Sequence, residues 1–142
     1  MIASEGEEKT QQWLNGFTAN FAQPPKGGDR DQIKAAAAGV CDIAIANTYY
    51  FAGMLDGKDA EQKAAAEKMA IFWPNQAGRG VHVNVSGAAI IKSSKHTDTA
   101  TRLLEFLVSP EAQRWYAKTN NEYPVVAKVA ESDTLKSWGE FK

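Results

Sequence analysis

Apolar positions along this chain follow two rhythms. From Glu5 to Phe21, Trp13, Leu14, Phe17 and Phe21 recur at helical spacing behind Ser4, a residue type that caps helix starts, so a first helix is expected there. Gln23-Pro24-Pro25-Lys26-Gly27-Gly28 stops it. Asp29 and Gln32 have the spacing of a capping box, and the alanine-rich run to Ala38 ends at Gly39, which predicts a second helix. Val40 to Ala46 is short and apolar on both faces apart from Asp42, the signature of a strand in a covered parallel sheet.

Asn47-Thr48 ends that strand with turn and cap chemistry. Short helices are expected over Tyr49 to Leu55 and Asp59 to Ala70, separated by Asp56-Gly57. Val81, Val83 and Val85 alternate with His82, Asn84 and Ser86, which predicts a strand with one buried face; Gly87 marks a bulge, bend or domain crossing. Thr97 to Leu107 carries Ala100, Leu103, Leu104 and Leu107 on one side, and Ser109-Pro110-Glu111 opens a further helix. Tyr123-Pro124-Val125-Val126 reads as extended, and Ser132 as the cap of a last helix through Trp138. Helix, strand and helix in this order predict an α/β fold built on a βαβ unit.

Length and charge narrow the function. At 142 residues the chain holds one ordinary domain, and 44% hydrophobic with 23% charged residues is a globular balance. Sixteen basic against seventeen acidic residues leave a net charge of -1, which argues against a nucleic-acid partner and against attraction to anionic lipid. No stretch approaches the roughly 20 apolar residues of a membrane span, so no insertion is expected. The segment Met1 to Glu8 lacks the basic and apolar regions of a secretory signal, so the expectation is either a cytoplasmic chain or a signal carried by a longer parent.

Catalytic constellations are missing: there is no P-loop, nucleophile elbow or HExxH motif, and an enzyme is not expected. His82 and His96 have no metal-ligand spacing, Cys41 has no second thiol, and Asn84-Val85-Ser86 fits a glycosylation acceptor by letters alone. The unusual feature is Tyr49-Tyr50 directly after an apolar strand. Neighbouring side chains on a strand point to opposite faces, so the two phenols can share a ligand only if the chain has already begun to turn. Otherwise the pair is an aromatic plug between strand and helix.

Four ordered stretches carry a resemblance over almost the whole chain: Asp42 to Tyr50, Gly80 to Gly87, Leu103 to Gln113 and Asn121 to Val125. Together they resemble the ferric-ion-binding proteins of bacterial ABC-type iron importers, periplasmic proteins with a transferrin-like, two-lobed type II fold. The resemblance implies an Fe(III)-binding component that captures ferric ion through tyrosine phenolates and delivers it to a permease. It implies Tyr49 and Tyr50 as metal ligands, Asn47 as an anion-binding or orienting residue, and Fe(III) with or without a synergistic anion or chelator as the bound species. Many relatives have Gly-Asn-Asp where this chain has Gly27-Gly28-Asp29.

Relatives of this kind are about twice as long, so the resemblance implies an incomplete type II fold. Residues 1–80 would be a C-lobe portion with the tyrosine pair, 81–130 a crossover segment of the N-lobe, and 131–142 the start of the returning C-lobe tail. It also implies a periplasmic location and, with lobe neighbours lacking, self-association through uncovered apolar faces. Two other readings stay open: a binding protein for an oxyanion or organic solute, and a folded remnant without retained binding.

Overall fold

The computed structural model describes residues 1–142. Eight helices follow one another: α1 (Ile2–Glu5), α2 (Glu7–Ala19), α3 (Asp29–Ala37), α4 (Thr48–Leu55), α5 (Ala60–Ala66), α6 (Thr97–Leu107), α7 (Pro110–Thr119) and α8 (Asp133–Ser137). None is long and apolar enough to cross a membrane. The first expected helix is divided at Gly6, and Ser4 lies inside its short leading piece, with its hydroxyl bonded back to the Met1 carbonyl at 3.1 Å.

Local capping explains most boundaries. The α3 capping box sits one residue from where the spacing suggests: Gly28 is the cap, and its N–H donates to Asp31 Oδ2 at 2.9 Å, which leaves Asp29 free for another partner. Gly39, at φ 77°, lets α3 close with Gly39 N–H on Ala36 and Val40 N–H on Ala35, the paired bonds of a left-handed C-terminal turn. Asp59 accepts from the backbone of Glu61 and Gln62 at the start of α5, and Ser109 and Ser132 accept from Ala112 and Leu135 to start α7 and α8.

α3, α4 and α5 pack together around Ile33, Phe51, Met54 and Ala66, with Trp138 from just beyond α8 stacked on Phe51 at 5.7 Å between centroids. The C-terminal tail returns across residues 73–81. Trp73 Nε1 donates to the Trp138 carbonyl at 3.3 Å, Phe141 stacks on Trp73 at 4.4 Å, and Val81 N–H donates to the Lys142 carbonyl at 2.7 Å. Gly80 is buried under that carbonyl with φ 83°; a Cβ there would collide with Lys142 while the backbone resisted it. A second set of bonds fastens α4 to the later helices: Asn121, buried with φ 53°, donates to Asp56 Oδ2 at 3.1 Å and accepts from Ser132, and Thr134 donates to Asp56 Oδ1 at 2.8 Å.

No strand pairing forms within the chain, so the sheet expected from Val40 to Ala46 and Val81 to Val85 is not seen in this structure. Val40 to Ala46 and Val81 to Val85 run without helix, but a strand exists only through pairing with a neighbour. From Cys41 to Ala46 the backbone has no backbone partner, and in the second run only Val81 has one. Ala46 packs against the helical core while Ile43 is 80% and Ile45 68% exposed, so one face of the first run is covered and the other is bare. Val83 and Val85 are exposed as well, contrary to the one-sided burial their alternation suggests. Accessible surface totals 10822 Å², whereas a compact protein of this mass exposes about 7,200 Å². Only 12 of 142 residues are buried, so much apolar surface has no cover within the chain.

Candidate metal centre

The chain stops being extended at Asn47, the N-cap of α4 with φ -73° and ψ 138°, and turns helical at Thr48. Tyr49 and Tyr50 are therefore the second and third residues of a helix. Successive helical side chains diverge by about 100° rather than 180°, which lets both rings lie on one side. Their centroids are 4.6 Å apart with the planes tilted by 49°, and both residues are half-buried: neither sealed under apolar groups nor stripped of cover.

Three residues fix this turn from outside. Asp29 Oδ1 accepts from Asn47 N–H at 2.6 Å and from its side-chain amide at 3.2 Å. Asn84, on the second extended run, donates to Asn47 Oδ1 at 3.5 Å, the long end of the range. The Arg30 guanidinium lies over the Tyr50 ring with Cζ 4.9 Å from its centroid. Asn47 thus stands beside the tyrosines and is held from both sides, with its own side chain making no bond to the helix start it caps.

Partial desolvation raises the Tyr49 phenol above its ordinary value; the neighbouring Tyr50, by charge and by hydrogen bonding, and then the carboxylates of Asp29 and Glu122 push in the same direction. All of these disfavour a free phenolate. A cation between the oxygens would reverse that balance, because the carboxylates and the second phenol would then be partners rather than rivals. No group of three or more His, Cys, Asp or Glu side chains is arranged to hold a metal.

Sequence reasoning singled out Tyr49, Tyr50 and Asn47, and all three fall within one helical start. It missed Asp29, Arg30, Asn84 and Glu122 as neighbours. The spacing makes Asp29 a cap, and the one signal against it is that Gly28 can serve as well, since glycine is accepted at that position. His82 and His96 do not join the tyrosines through any hydrogen bond, and Cys41 is a free thiol one extended segment away.

Residues 3–142 match the bacterial extracellular solute-binding proteins, and the chain belongs to that family. It is 46% identical over its full length to iron uptake protein A1 of Synechocystis sp., covering 39% of that protein, and 26% identical over 136 residues to the major ferric iron-binding protein of Neisseria meningitidis. Among solved structures it is similar to Trichodesmium IdiA (FutA) in complex with iron and citrate ligands, with a TM-score of 0.93 at 48% identity, covering 99% of this chain and 45% of that one. The ferric binding protein from Campylobacter jejuni gives a TM-score of 0.96 at 40% identity, again covering 45% of that chain. The chain spans about two fifths of the length of the curated relatives it matches, and its course follows part of these two solved structures.

Proposed function

We propose that this chain is part of a ferric-ion-binding protein and supplies two of its metal ligands, Tyr49 and Tyr50, with Asn47 orienting them or contacting an accompanying anion. The observation that carries this reading is the meeting of two half-buried phenols at a helix start, 4.6 Å apart by ring centroid. Fe(III) is a hard, highly charged ion that favours anionic oxygen, and it displaces phenol protons where Mg(II) and Ca(II) do not. Two donors leave much of the iron sphere to a chelator, an anion or other protein groups.

On the same reading the parent protein carries iron to an ABC permease in the periplasm and performs no catalysis. Residues 1–80 belong to the lobe with the tyrosine pair, 81–130 cross towards the other lobe, and 131–142 return. Support for this division comes from the bare extended run after Gly80 and from the return of the tail onto Phe51 and Trp73.

Titrating the chain with Fe(III) citrate tests the proposal. A visible phenolate-to-iron charge-transfer band that saturates is expected. Binding of the citrate alone, without colour on adding iron, would instead favour an organic-anion binder.

A further inference from the structure

Arg30 is the second residue of α3, and it enters none of the ion pairs of the chain, which join Lys34 to Asp31, Arg79 to Glu5 and Lys136 to Asp133. Its neighbour Asp29 is occupied by Asn47. The Arg30 guanidinium instead covers the Tyr50 ring, Cζ 4.9 Å from the centroid, and continues over the backbone of Gly53, where an added Cβ would stand 3.5 Å from a guanidinium nitrogen. This is well inside the distance of about 6 Å at which a cation is attracted to the negative face of an aromatic ring. Two consecutive residues of α3 therefore hold the start of α4, Asp29 through its carboxylate on the Asn47 N–H and side-chain amide and Arg30 through its guanidinium on the Tyr50 ring.

A half-buried tyrosine has two torsions to settle, and the broad second one lets the ring rock unless both faces are restrained. The Tyr49 ring lies 4.6 Å from that of Tyr50, tilted by 49°, and the Arg30 guanidinium lies over the Tyr50 ring. We propose that Arg30 is a positioning residue for Tyr50: its guanidinium fixes the ring so that the hydroxyl stays beside that of Tyr49 and both can reach one cation. The ring-fixing step is a property of the iron-free chain; only its consequence for iron rests on the ferric reading. A planar guanidinium covers a ring better than a compact ammonium does, so lysine is an incomplete substitute.

The test uses the 142-residue chain with carbon-13-labelled tyrosine rings, comparing wild type with Arg30→Met, which keeps an apolar stem, and Arg30→Lys. In the iron-free state Arg30→Met is expected to move the Tyr50 ring resonances towards those of a free tyrosine, leaving Tyr123 in place, with Arg30→Lys between the two. With Fe(III) citrate added, Arg30→Met should weaken binding roughly two- to fivefold, the range that loss of one such contact supports, and shift the charge-transfer maximum. Tyr50 resonances that stay unmoved in Arg30→Met would overturn the proposal. A disordered Tyr50 ring in that variant, combined with no colour in wild type, would remove the ferric reading and leave the positioning role standing.

Discussion

One carboxylate oxygen of Asp29 accepts both the backbone N–H and the side-chain amide of Asn47, at 2.6 and 3.2 Å. The N-terminus of α3 is thereby fastened to the start of α4 across eighteen residues of sequence. Removing the acceptor leaves a part-buried N–H without a partner, so Asp29→Ala should cost about 1.5–3 kcal/mol of stability, as expected for a hydrogen bond to a charged group. Asp29→Asn, which keeps an oxygen, should cost less. Urea unfolding of the two variants measures the difference.

The Tyr123 hydroxyl is buried without any hydrogen-bond partner, and burial, followed by the Glu131 charge, pushes its phenol up to about 12. Well below pH 10 this phenol is neutral whether the chain is folded or not. Between pH 10 and about 12 the unfolded chain ionises first, so stability falls with rising pH. Tyr123→Phe should remove that part of the alkaline decline. At neutral pH it should leave stability unchanged or raise it by up to about 1 kcal/mol, since the lost hydroxyl satisfied nothing. Thermal unfolding from pH 7 to 11 checks both.

Ile43, Ile45, Val83 and Val85 present apolar side chains on unpaired backbone. Such edges invite pairing with another chain, so association that grows with concentration is expected. Ile43→Lys together with Ile45→Lys should reduce it. Sedimentation velocity over a concentration series reads the effect, and a single compact monomer throughout would contradict it.

Iron capture should be opposed by acid. Tyr49 holds its proton more firmly than a free phenol does, so any metal bound there must displace it. Affinity is then expected to fall by about tenfold per pH unit for each phenol proton displaced, up to two phenols. Competition against a chelator between pH 6 and 8, corrected for the chelator's own protonation, gives the slope.

What the sequence made legible divides along physical lines. Helix starts at Asp59, Ser109-Pro110 and Ser132 depend on bonds within one turn, and each forms with the residues expected. The strands at Val40 to Ala46 and Val81 to Val85 depend on partners from elsewhere, which local alternation cannot supply. The site shows the same split. Tyr49 and Tyr50 stand out as an adjacent pair after an apolar run, and Asn47 enters only through the family resemblance; Asp29 and Asn84 reach Asn47, and Arg30 the Tyr50 ring, through tertiary packing that nothing in their spacing announces.

Single replacements of the phenols test the central claim most directly. With Fe(III) citrate as the iron source, Tyr49→Phe and Tyr50→Phe should each weaken the charge-transfer band and lower iron affinity by at least tenfold, about 1.4 kcal/mol, and the double replacement should abolish the band. Unchanged colour and affinity in both single variants would contradict the account, because iron would then be held without either phenolate.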